Sequence, residues 1–104
     1  MIVEFDFSFG RGYACIIDSK EVLKSEDILI FYGQHKPGKT NDDVKSLCIS
    51  DCKMPQLPHK IGDTFKNIEN LHIKSSNLKS LTKFDLKQFE ILKQIHLFQT
   101  DIEF

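Results

Sequence analysis

The sequence lacks net charge. Fourteen basic residues against fifteen acidic ones leave a formal charge of -1. Such a chain has no strong field to draw in DNA, RNA or an anionic membrane, so a nucleic-acid binder built on a basic patch is excluded. It also lacks a long apolar run. The longest, Ile28-Leu29-Ile30-Phe31-Tyr32, has the length of a strand and falls far short of the roughly 20 residues a membrane span needs. The basic-then-apolar opening of a signal peptide is missing as well, since Glu4 and Asp6 stand where it would lie. Tryptophan is absent, whereas phenylalanine occurs nine times. Cysteine is scarce and odd in number, so at least one of the three is unpaired within the chain. With 40% hydrophobic and 28% charged residues in 104 positions, the remaining class is one small globular domain.

What is present is a period. Written from Val44 in blocks of 24, residues 44–67, 68–91 and a partial 92–104, the chain sorts its apolar residues into columns. Val44, Ile68 and Leu92 share the first column, and Leu47, Leu71 and Ile95 the fourth. Ile49, Ile73 and Leu97 share the sixth; Met54, Leu78 and Ile102 the eleventh. Leu57 and Leu81 share the fourteenth, Phe65 and Phe89 the twenty-second. Helical stripes through Phe65, Ile68, Leu71 and through Leu86, Phe89, Leu92 do not explain this agreement over the whole period, nor the alternation through Leu47-Cys48-Ile49.

Each block follows the leucine-rich repeat template, as in Leu71-His72-Ile73-Lys74-Ser75-Ser76-Asn77-Leu78. Columns four and six alternate with other residues, which predicts a short half-buried strand. The small residue of column nine (Cys52, Ser76, Thr100) is expected to turn inward and bond the turn that leaves the strand. Columns eleven, fourteen and twenty-two return in short helical or extended pieces. One such unit cannot bury its apolar side alone, whereas a stack of them forms a continuous core. The predicted fold is therefore α/β: a short leucine-rich repeat solenoid over residues 44–104, with a parallel sheet on its concave face.

Residues 1–43 lack the register and read as a β-hairpin-like cap. Tyr13-Ala14-Cys15-Ile16-Ile17 and residues 28–32 are its two expected strands, with turn signals at Gly10-Arg11-Gly12 and Pro37-Gly38. Three features carry a family resemblance. They are Gly33-Gln34-His35-Lys36-Pro37-Gly38-Lys39-Thr40-Asn41-Asp42-Asp43-Val44 behind the Tyr13-Ala14-Cys15 strand, then Phe65-Lys66-Asn67-Ile68, then Asn77-Leu78-Lys79-Ser80-Leu81. Together they resemble the N-terminal region of secreted leucine-rich repeat proteins of insects, especially midges. The resemblance implies a cysteine-containing cap, a right-handed solenoid, an extracellular setting and a non-enzymatic binding role in the recognition of microbial or host ligands.

The residues of columns three, five and seven point to the open face: Ser46, Cys48, Ser50; Asn70, His72, Lys74; Gln94, His96, Phe98. This is the expected contact surface for another protein, with Phe98 as its aromatic anchor. One ladder on it, Cys48, His72 and His96, holds metal-ligand types, but its outer members lie nearly 10 Å apart at twice the strand spacing of about 4.8 Å. No metal, cofactor or catalytic constellation is expected, and Cys52 reads as a buried structural thiol unlinked to Cys48. The competing reading is a small nucleotide-binding protein, because residues Gly33 to Thr40 fit G-x-x-x-x-G-K-[ST] in full. That motif must open a long helix, and only Asn41-Asp42-Asp43 separates it from the first repeat, which favours a polar turn. The third block stops at column thirteen. Its core layer, Ile95, Leu97 and Ile102, is therefore expected to be partly exposed, in a fragment of a longer solenoid or in a chain that covers this end by self-association.

Overall fold

The 24-residue period is a hydrogen-bonding register. The computed structural model describes residues 2–8, 10–18, 31–100 and 102. In it β1 (Glu4–Ser8), β2 (Gly12–Asp18), β3 (Ser46–Ser50), β4 (Asn70–Lys74) and β5 (Gln94–Phe98) form one mixed sheet in chain order. β1 and β2 pair antiparallel, and every later pair is parallel. Ser46 faces Asn70 and Asn70 faces Gln94, so residues 24 apart are direct neighbours from one end of these strands to the other.

The bonds outside the strands repeat with the same offset. Before each strand, Glu69 and Asn70 donate to the Lys45 carbonyl, and Lys93 and Gln94 donate to the Glu69 carbonyl. After each strand the chain turns through a left-handed residue at column eight: Asp51 (φ 58°), Ser75 (φ 54°) and Gln99 (φ 52°). Asp51 N–H then donates to the Lys74 carbonyl and Ser75 N–H to the Phe98 carbonyl, carrying the ladder around the corner. Column nine is buried at Cys52 and Ser76. Ser76 Oγ accepts from Leu78 N–H at 3.3 Å. A further tie between turns comes from column ten, where Asn77 Oδ1 accepts from Met54 N–H at 2.5 Å.

One face of the sheet is apolar. Phe5, Cys15, Ile17, Leu47, Ile49, Leu71 and Ile73 are buried together with Val44, Met54, Leu57, Ile61, Phe65, Ile68, Leu78 and Phe89 behind them. The returns contain single-turn helices, α1 (Ile61–Thr64) and α2 (Lys83–Leu86). α2 is capped reciprocally by Thr82 and Asp85, which satisfies otherwise orphaned amides of its first turn. α1 is held through Gly62, whose N–H donates to Gln88 Oε1 at 3.0 Å. A Cβ on Gly62 would stand 2.1 Å from the Gln88 carbonyl oxygen, so only glycine fits this joint between the two returns.

The N-terminal region corrects one expectation. The hairpin partner of β2 is β1, joined to it by the Gly10-Arg11-Gly12 turn, and the other edge of β2 is taken by β3. The period-two pattern of Val3, Phe5 and Phe7 was legible but short and preceded by no turn signal. The strand expected over residues 28–32 lies mostly outside the described residues; Tyr32 bridges Ile2 in parallel. Gly33 passes so close to Val3 that a Cβ would meet the Val3 carbonyl oxygen at 2.5 Å. Behind this crossing, the Lys36 N–H donates to Tyr13 Oη, and that hydroxyl bonds His35 Nδ1 at 2.7 Å. His35 Nε2 in turn meets Asn41 Oδ1 at 2.7 Å, and its ring stacks on Phe5.

Candidate functional site: the open face of the sheet

The face opposite the core is organised in rows across the strands, because parallel partners in register project side chains to the same side. Its first row runs Ala14, Ser46, Asn70, Gln94, the second Ile16, Cys48, His72, His96, and the third Asp18, Ser50, Lys74, Phe98.

The first row is covered at its β2 end. Ser46 Oγ–H donates to the Arg11 carbonyl at 2.5 Å and accepts from Asn70 Nδ2 at 3.2 Å. The β1–β2 turn thus folds over the face, and Ala14 and Ser46 are fully buried although they point away from the core. Cys48 is buried too, with the Arg11 guanidinium 3.9 Å from its sulfur. Ser46 and Cys48, expected to be accessible, are instead the floor beneath Arg11. Ser50, Asn70, His72 and His96 are partly exposed, and Lys74, Gln94 and Phe98 are exposed, Phe98 at 55%.

The second row brings the histidines together. The His72 and His96 rings stack with centroids 4.4 Å apart and planes 1° from parallel, close to the spacing of the strands that carry them. Desolvation first, then the positive charge of Arg11 and the neighbouring His96, push the His72 imidazolium down to about 4. His72 is therefore neutral at pH 7, with its buried Nδ1 lacking a hydrogen-bond partner. Such an atom costs about 1–3 kcal/mol unless something satisfies it. The register sets Cys48 directly across from His72. Burial raises the Cys48 thiol and lowers His72, the reverse of the thiolate–imidazolium pair that an activated nucleophile requires. Cys15, deeper on the core side, is pushed up to about 12 by burial. Among the described residues there is no group of three or more His, Cys, Asp or Glu that could hold a metal ion.

A cavity of about 400 Å³ opens over the second and third rows, bordered by Arg11, Cys48, Ser50, His72, Lys74 and Phe98. Sequence reasoning placed Cys48, Ser50, His72, Lys74 and Phe98 on this face, but neither Arg11 nor Gln99, which also borders the cavity. Arg11 was missed because its place over Cys48 depends on how the hairpin turn leans across the sheet. The charge alternation of column two was also missed, although it stands in the sequence. Lys45, Glu69 and Lys93 form a ladder at the strand entries, with Glu69 2.8 Å from Lys93 and 3.7 Å from Lys45. Lys93 first, then Lys45, hold the Glu69 carboxyl below its usual range.

The chain matches no family model, no curated protein and no solved structure. Its function has to be argued from geometry. Among the described residues no helix is long and apolar enough to cross a membrane. The segment from Gly33 to Thr40 does not have the arrangement of a phosphate-binding loop. It leads into a three-residue 3-10 turn, Asn41–Asp43. Thr40 gives its N–H and hydroxyl to Asp43 Oδ2, and Lys39 Nζ lies 5.7 Å over the Phe7 ring. The hydroxyl and ammonium that would meet magnesium and phosphate are engaged in fixing the junction.

Proposed function

We propose that the chain is a short leucine-rich repeat solenoid with an N-terminal cap, and that its open sheet face binds another protein without catalysis. The observation that carries this reading is the in-register stacking of β3, β4 and β5 at a constant 24-residue offset. A rigid ladder of this kind presents rows of polar and aromatic side chains at fixed spacing, with Phe98 at the exposed end of one row. Rigid, exposed aromatics supply contact area at low entropic cost. The resemblance to secreted insect leucine-rich repeat proteins supports an extracellular recognition role, including one in defence, and the buried cysteines are compatible with it. Self-association through the β5 end belongs to the same reading; a single-monomer mass by light scattering at high concentration would count against it.

The face reading is tested by selecting peptides from a random displayed library against the full chain. Selected peptides should protect amides of β3, β4 and β5 from hydrogen exchange. Phe98→Ala should weaken them about tenfold or more, as loss of an anchor does, while Phe84→Ala on the exposed side of α2 leaves them unchanged. Binders that ignore Phe98 and follow Phe84 would refute it.

A further inference from the structure

Some cations of the molecule are committed to ion pairs within it and others are not. Lys36 pairs with Asp6, Lys45 and Lys93 pair with Glu69, and each of these pairs closes on the protein itself. Arg11 and Lys74 border one cavity, and among the described residues neither has a carboxylate partner. Ser50, the neutral His72 and the exposed Phe98 line the same cavity. Two cations without a carboxylate partner among the described residues, polar neighbours and an aromatic ring around about 400 Å³ match a small anionic group attached to an apolar one.

Resting on the protein-binding reading above, we propose that this cavity is a carboxylate subsite. It receives an aspartate or glutamate side chain of the partner between Arg11 and Lys74, and the apolar residue that follows lies against Phe98. A carboxylate is the occupant because the partner proposed above is a protein, whose unmodified side-chain anions are carboxylates. The two cations would also match a phosphate dianion in charge, so inorganic phosphate is the competing probe. Ser46 holds the Arg11 carbonyl, and the Arg11 guanidinium donates to Cys48 Sγ at 3.9 Å, which sets it over the cavity floor.

The test is a nuclear magnetic resonance titration of the full chain with N-acetyl-Asp-Phe-amide, N-acetyl-Asn-Phe-amide and inorganic phosphate. The aspartyl peptide should move the amides of Ser50 and Lys74 and the Arg11 side-chain signal saturably. It should bind about tenfold tighter than the asparaginyl peptide, the difference expected for one charge-assisted contact. Arg11→Gln and Lys74→Gln should each remove most of that difference, and raised salt should shrink it. Both positions are exposed, and unchanged spectral dispersion shows that the variants fold. Equal binding of the two peptides, or tighter binding of phosphate, would overturn the carboxylate subsite. If library-selected peptides still occupy the open face in that case, the subsite alone is wrong. If they too avoid the face, the protein-binding reading falls with it.

Discussion

β4 and β5 carry the same pattern, Asn70-Leu71-His72-Ile73-Lys74 and Gln94-Ile95-His96-Leu97-Phe98, yet they do not bury the same surface. Leu71 and Ile73 are fully buried, whereas Ile95 is 39% exposed and Leu97 only partly covered. The difference does not come from residue type. β4 has a strand on each side, whereas among the described residues β5 has one on its β4 side only. The returns differ in the same way. Gly62, in column nineteen of the first block, has the Gln88 backbone against it, while the second block holds Leu86 in that column, partly buried. In a stack the apolar column of one block is completed by the next block, so stability is a property of the junctions.

The sharpest way to break this comparison is to truncate equivalent residues. Leu71→Ala should cost about 2–5 kcal/mol, the range for a fully buried leucine. Ile95→Ala should cost under about 1 kcal/mol, since much of its side chain already meets water. Urea denaturation of the two variants measures both, and equal losses would mean that the two junctions are equally closed. A smaller effect is expected at the return. Gly62→Ala must push the Gln88 backbone away and should cost about 1–3 kcal/mol, a typical overpacking penalty. A melting temperature equal to the parent's would show that this joint yields freely.

The third effect is the smallest and follows from pH. His72 lies lower in the folded chain, at about 4, than in an ordinary histidine at 6.5. Below about 6.5 the unfolded chain takes up a proton that the folded chain refuses, so stability falls as pH drops from about 6.5 to about 4. Because the ring is partly solvated, the loss is of order 1–2 kcal/mol rather than the full converted shift. The folded carboxylates Asp43 and Glu69, held low by the Thr40 amide and by Lys93 respectively, add a further loss only at lower pH. A His72→Gln variant should flatten the upper limb and leave the lower one. A variant whose profile between pH 6.5 and 4 matches the parent's would assign that limb elsewhere.

Much of this arrangement is legible in the residues because periodicity is a local property that tertiary contacts then use. The columns of Leu47, Leu71 and Ile95 mark the strands, and their common offset is the register. The stacked histidines were implied by the same arithmetic, since column five in adjacent strands must share a row. Column eight hides its role, because aspartate, serine and glutamine share no chemistry and only the backbone shows that each is left-handed. The β1 partnership, the burial of Ser46 and Cys48, and the approach of Arg11 to the cavity were not legible. The β1 partnership was hidden by the shortness of its alternating run, and the other two depend on the lean of one hairpin turn across a sheet whose strands come from distant parts of the chain.

By itself the sequence determined which residues alternate, which recur every 24 positions, and hence which side chains share a row on the sheet. Only the tertiary structure decided which members of each row are open to solvent. A side chain's direction is set by its own strand. Its exposure is set by whatever packs over it, and here that is Arg11 at one end of the face and, at β5, no further strand among the described residues.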